Sequence, residues 1–281
     1  MNTALDKGNH IIALFPAYQS LYSIAEAIGC EVTYWKLIQN KDNTFELDLD
    51  FLAKNIKKNT KAIIVNFPHN PTGFLPDIKT FKEIIEIAKE NNVLFFCDEV
   101  YRYLEHDRKN TLPSASDLYD FAISTGSMSK AFGLPGLRIG WTATRNQALL
   151  NKMWSYKDFT TICSSAPSEY LATIAVRNRE KIFKKNLAII EENLKTLKEF
   201  FKKHENLFTF SSPKATTIAF PSIKKEMNIE KFCIDLVEKK GVFLLPSTKY
   251  DFGDRNFRIG YGKKTMKECL GKFGEYLSSF T

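Results

Sequence analysis

Short apolar runs alternate with amphipathic stretches through the first half of the chain, and this rhythm restricts the fold more than any other feature. Residues 11–15 read as a buried strand, after which Leu21, Ile24, Ala25 and Ile28 follow the i, i+3, i+4, i+7 spacing of one helix face. Gly29 supplies a helix stop and residues 31–35 the next strand. Asp48 is placed to cap a helix whose apolar face is Leu49, Leu52, Ala53 and Ile56. Residues 62–67 then read as a strand, Phe81, Ile84, Ile85 and Ala88 as a helix face, and residues 93–97 as a strand buried on both sides. Residues 121–124 and 140–144 continue the series. The alternation predicts an α/β fold, a mostly parallel sheet sandwiched by helices.

The second half differs. Residues 169–204 contain no Gly or Pro, and Leu187, Ile190, Leu194, Leu197 and Phe201 step by three and four, so at least one long helix is expected. Beyond it, residues 216–220, 242–245 and 256–261 read as short strands around a helix at 229–240. We therefore expect a large domain over residues 1–170, and over 171–281 the long connecting helix with a smaller C-terminal α+β domain.

Composition narrows the function classes. With 44% hydrophobic residues the chain can bury a core, so disorder is excluded. No apolar run approaches the roughly 20 residues that span a bilayer, and residues 1–10 lack the basic and apolar regions of a signal peptide. A soluble, unexported, cytoplasmic protein is expected, without a membrane partner. Cys30, Cys97, Cys163, Cys233 and Cys269 form no C-x-x-C pair and the four histidines are scattered, which argues against a metal site or disulfide framework. The net charge of +8 comes from lysines interleaved with acids, as in Lys82-Glu83, and predicts a solvated surface rather than a nucleic-acid partner.

In parallel α/β sheets ligands gather outside the carboxyl ends of the strands. Residues 62–67 run into Pro68-His69-Asn70-Pro71-Thr72-Gly73, residues 93–97 into Asp98-Glu99-Val100-Tyr101, and residues 121–124 into Thr125-Gly126-Ser127-Met128-Ser129-Lys130. Taken singly, Asp98 could cap a turn, Lys130 could be a surface charge, and Gly133 and Gly136 mere turn residues. The lysine segment matches no phosphate-binding P-loop, and Ser127 lacks the G-x-S-x-G context of a hydrolase nucleophile.

Taken in order, Asn70-Pro71-Thr72-Gly73, Asp98-x-x-Tyr101 and Ser127-x-Ser129-Lys130 followed by Gly136-x-Arg138-x-Gly140-Trp141 closely resemble the class I/II aminotransferases. These are pyridoxal-phosphate (PLP) enzymes with the aspartate-aminotransferase fold. Pro16-Ala17-Tyr18 and Arg258-Ile259-Gly260-Tyr261 match as well, so the resemblance runs from about residue 5 to about residue 275. It implies that Lys130 forms a Schiff base with the PLP aldehyde and carries a proton between substrate Cα and cofactor. It implies that Asp98 pairs with the pyridine nitrogen, and that Asn70 and Tyr101 hydrogen-bond the phenolic oxygen. Tyr18 would stack on the ring, while Ser127, Ser129 and Arg138 would hold the phosphate through charge-assisted donors. Arg258 would grip the substrate α-carboxylate, with Asn70 beside it. His69 receives no catalytic role, and Trp141 reads as core packing.

The resemblance implies transfer of an amino group between an α-amino acid and a 2-oxo acid by a homodimer. β-Elimination or the cyclase chemistry of capreomycidine-synthase-like members remains open on the same motifs, as does a non-catalytic relic. The family also carries an N-terminal arm and a small-residue turn that holds the phosphate. Here only about half of the following helix, over residues 2–7, is expected, and weakened PLP binding is the anticipated consequence.

Overall fold

The apolar runs pair as the alternation requires. The protein, described here by a computed structural model over residues 1–278, begins with β1 (His10–Phe15), α1 (Ser23–Ile28) and β2 (Glu31–Lys36). The short strands β3 (Ile38–Gln39) and β4 (Phe45–Glu46) precede α2 (Leu49–Lys54), β5 (Thr60–Asn66), α3 (Ile78–Glu90) and β6 (Leu94–Asp98). Then come α4 (Ala115–Leu118), β7 (Ala122–Ser127), β8 (Gly140–Ala143), α5 (Gln147–Asp158), α6 (Ala166–Arg177) and α7 (Arg179–Lys203). The chain closes with β9 (Phe208–Thr209), β10 (Ile218–Ala219), β11 (Ser222–Ile223), α8 (Ile229–Lys240), β12 (Leu245–Pro246), β13 (Phe257–Gly260) and α9 (Met266–Leu277).

The main sheet has the order β2-β1-β5-β6-β7-β8; neighbours are parallel from β2 to β7, and β8 runs antiparallel to β7. Successive side chains of a strand face opposite ways, and β1 shows the result. Ile12 and Leu14 join one core with Phe81 and Ile84 of α3, while Ile11, Ala13 and Phe15 join another with Ala25 of α1 and Leu149 of α5. The strands are thus covered on both faces, as a parallel sheet requires.

Local signals set the helix ends. The Asp48 carboxylate accepts the Phe51 N–H at 2.8 Å, Asp77 caps α3 through the Thr80 N–H at 2.7 Å, and Gly29 ends α1 at φ +91°.

A third core lies in the C-terminal part, where Phe201, Phe208, Phe232, Phe257 and Phe273 pack together under the antiparallel sheet β10-β13-β12. Tyr101, Met128, Ala131 and Phe132, from the loops beyond β6 and β7, belong to this same cluster. The loops at the carboxyl edge of the main sheet are therefore seated on the C-terminal core.

Several elements depart from the sequence reading. Residues 2–7 form turns rather than part of a helix, because so short a segment before Gly8 at φ +83° cannot offset the cost of helix nucleation. Asn178 divides the long helical stretch into α6 and α7. Of the strand expected at 216–220 only Ile218–Ala219 pairs, since Thr216 stands at φ +79°, and of 242–245 only Leu245 does. The helices α5 and α9 were not anticipated. Among the described residues no helix is long and apolar enough to cross a membrane, and no three His, Cys, Asp or Glu cluster as metal ligands would.

Candidate active site

Asp98 ends β6, in register with Asn66 of β5 and Thr125 of β7, so one row of the sheet delivers three polar side chains to the edge. Asp98 Oδ1 accepts the Val100 N–H at 3.1 Å and the Thr125 hydroxyl at 3.3 Å. Desolvation still dominates and pushes the carboxyl up to about 6, against the pull of those donors and of Lys130.

A continuous chain of hydrogen bonds leaves this point. The Asn66 amide donates to the Asp98 carbonyl at 2.7 Å, its Oδ1 accepts the Asn70 N–H at 2.8 Å, and Asn70 Oδ1 accepts Arg258 Nη1 at 3.1 Å. Arg258, on β13, also lies over the Tyr250 ring, its guanidinium carbon 5.8 Å from the centroid. Asn70 and Arg258 are 188 residues apart in the chain, so only the packing of the C-terminal part on the sheet edge brings them together. Gly73 permits that approach: it stands at φ +71°, and a Cβ there would fall 2.4 Å from Pro213 Cβ.

Lys130 follows β7 and a turn, with Nζ 5.4 Å from the centroid of the buried Tyr101 ring. Its amine is held below the usual lysine range, first by burial, then by the Arg258 charge, with Arg138 adding and Asp98 opposing. Burial pushes the Tyr101 phenol up to about 12, and Arg258 draws it back.

Lys130 is itself exposed, and the remaining candidates range from half-buried to exposed. Ser127 Oγ accepts the Ser129 N–H at 3.2 Å. Arg138 is exposed, at φ +52°, and donates to the Pro135 carbonyl at 3.0 Å. Tyr18 projects from the loop after β1 with 55% of its surface exposed, and among the described residues no hydrogen bond or ring contact joins it to the others. Trp141, read from the sequence as core packing, is instead 46% exposed and lies flat on Gly126, where a Cβ would meet its ring at 2.4 Å.

The structure thus brings together Asp98, Tyr101, Lys130, Asn70 and Arg258, with Arg138 close enough to act on Lys130, and leaves Tyr18 on an adjoining loop. Supporting residues that the sequence reading missed are Asn66, Thr125, Tyr250 and Glu99. Glu99 points to the opposite face from Asp98, where its carboxylate accepts the Ala115 N–H at 2.8 Å and the Ser124 hydroxyl at 2.6 Å. Its own N–H donates to the Thr125 carbonyl at 2.9 Å, which locks β6 to β7 beside Asp98. An acid next to Asp98 was visible as a signal; the partners of the others lie on distant strands.

The family Aminotransferase class I and II matches residues 1–272. Capreomycidine synthase of Streptomyces vinaceus is 30% identical over 273 residues, covering 96% of this chain and 69% of that protein. Aspartate aminotransferase of Sulfolobus acidocaldarius is 26% identical over 291 residues, covering 98% and 70%. A PLP-dependent aminotransferase structure from Streptococcus suis superposes with a TM-score of 0.92 at 32% identity, over 100% of this chain and 73% of that one.

Proposed function

The chain belongs to the class I and II aminotransferase family, and on that premise we propose that it moves an amino group between an α-amino acid and a 2-oxo acid at the edge built around Asp98 and Lys130. Its cofactor is pyridoxal phosphate, in common with the PLP-dependent structure it matches. The residues present fit that group. Two cations, Arg138 and Arg258, act on a third, Lys130, beside a single carboxyl held up at about 6. Such a surplus suits a phosphate and a substrate carboxylate.

In this reading Asp98 would hold the ring nitrogen, Tyr101 and Asn70 the phenolic oxygen, Tyr18 a ring face, and Ser127, Ser129 and Arg138 the phosphate. When bound, the cofactor supplies a ring that withdraws electrons from the substrate Cα–H bond. The chain's own residues do the rest. Asp98, a carboxylate in a desolvated place that titrates at about 6, gains from a cation beside it and would keep that cation protonated. Arg258 offers a planar fork to the α-carboxylate while Asn70 and Tyr250 fix its direction. Lys130, its amine lowered by desolvation and neighbouring guanidiniums, would hold the cofactor until the substrate amine displaces it, and its freed Nζ would then take the proton from the substrate Cα.

One observation carries the reading: Lys130 stands over Tyr101, within reach of the opposed charges of Asp98 and Arg258. Residues 1–170 then form the cofactor-holding part and 171–281 the part that brings Arg258. A homodimer belongs to the same reading, to be checked by light scattering. The test of function is incubation of the purified chain with PLP, a ¹⁵N-labelled amino acid and a set of 2-oxo acids. Label appearing in a new amino acid supports transfer, and label found only in ammonia or in a cyclised product excludes it. The second outcome would favour lyase or cyclase chemistry, a reading supported by the 30% identity to capreomycidine synthase.

A further inference from the structure

The strand order reverses between β1 and β5, where β2 lies outward on one side and β6 on the other. Crevices open at such points. The two flanking loops carry Tyr18 and Asn70, and the side chain between them is His69, which is wholly buried. Its Nδ1 lies 2.7 Å from Thr72 Oγ1. That oxygen accepts the Phe74 N–H at 3.1 Å, which leaves the hydroxyl hydrogen available to Nδ1. The ring also meets the backbone of Pro16, whose only polar backbone group is a carbonyl; with Nδ1 turned to Thr72, Nε2 is the nitrogen left to face it. No bond of ordinary geometry satisfies Nε2. An acceptor behind Nδ1 would leave Nε2 facing a carbonyl with a lone pair, so the hydrogen belongs on Nε2.

We propose that His69 is a positioning residue: as the neutral Nε2–H form it tethers the Pro16 carbonyl and so sets where Tyr18 stands relative to Asn70. Burial holds its ring at about 3, so the tether stays uncharged at any working pH. The inference rests on the reading of Tyr18 and Asn70 as cofactor contacts.

The test has two arms. In cofactor-free protein, ¹⁵N NMR of the four histidines, with His69→Gln to assign the signal, is expected to show the Nε2–H form unchanged from pH 5 to 8. The Nδ1–H form, or titration in that range, would overturn the proposal, and this arm reads out even if the chain binds no cofactor. In the second arm, His69→Gln keeps a donor near the Nε2 position whereas His69→Asn reaches only the Nδ1 position. PLP affinity, followed by visible absorbance, is expected to fall about tenfold for Asn and less than about threefold for Gln, with similar loss of unfolding midpoint in both. Equal affinities for Asn and Gln would overturn the tether and leave His69 as packing. Should His69→Asn not fold, Thr72→Val keeps the ring and is expected to weaken PLP severalfold; unchanged affinity there would also refute the proposal. Failure of native protein to bind PLP while the NMR arm holds would instead strike the functional reading.

Discussion

The two ends of the cleft are built differently. Around Asp98 the side chains are dry and interlocked: Asn70 and Tyr101 are buried, Asn66 holds the Asp98 backbone carbonyl, and the Thr125 hydroxyl and the Val100 N–H both donate to one carboxylate oxygen. Around Ser127, Ser129 and Arg138 the chain is wetter: the two serines are half-buried, Arg138 is exposed, and the neighbouring β8 is an edge strand whose four residues are all exposed. Phe159, at the end of α5, is 89% exposed. A group whose task depends on a shifted acidity must be kept from water, because water would restore its ordinary value. A group that binds a phosphate can stay wet, since charge-assisted bonds survive partial solvation.

Five measurements test this contrast, given in descending order of expected effect. Lys130→Ala is expected to lower amino transfer more than about a thousandfold and to remove the visible absorbance of the loaded protein; a residual rate within tenfold of native would remove Lys130 from the chemistry.

Asp98→Asn is expected to lower transfer by about a hundredfold or more yet stabilise the cofactor-free chain at pH 7.5. The folded carboxyl titrates at about 6 rather than 3.8, so between those values the folded state holds more protons than the unfolded one. Stability therefore falls as pH rises through that window, and above about 6 the whole cost, on the order of 2–3 kcal/mol, is present. Denaturant titrations from pH 4 to 7.5 should show native protein losing stability and the variant staying flat. Parallel curves would mean that the dry end is not dry.

Arg258→Ala is expected to raise KM for the amino acid by about 10- to 100-fold with a smaller change in kcat, as loss of a charged pair to the substrate requires. A drop confined to kcat would move Arg258 away from the carboxylate. At the open end, Arg138→Ala should weaken PLP only about tenfold, measured by equilibrium titration; complete loss of binding would show that the wet end bears as much as the dry one. Last, Phe159→Ser should change the unfolding free energy by no more than about 0.5 kcal/mol, since its ring is almost wholly exposed. A larger loss, read by chemical denaturation, would reveal a covering surface there.

Much of this was legible beforehand for local reasons. The continuous run ending at Cys97 gave away β6, and Asp48 gave away the start of α2. By contrast α9 contains Gly271 and Gly274, which read as breaks, and its role appears only where Leu270 and Phe273 enter the C-terminal core. The exposed Trp154 and Tyr156 of α5 blur any single apolar face. Thr216 shows the reverse error: its β-branched side chain suggested a strand, but its hydroxyl accepts the Ile218 N–H and holds a left-handed turn instead.

By itself, then, the order of residues determined the kinds of element, the edge of the sheet to which Asn70, Asp98, Tyr101 and Lys130 are delivered, and the family of chemistry those types suggest. The tertiary structure alone decided that Arg258 meets Asn70, that Pro16 faces His69, and that Asp98 is dry enough for its acidity to move. Periodicity and capping act over a few neighbouring residues and can be read along the chain. Desolvation and charge pairing depend on which remote segments return to the same place, and that is settled only when the cores close.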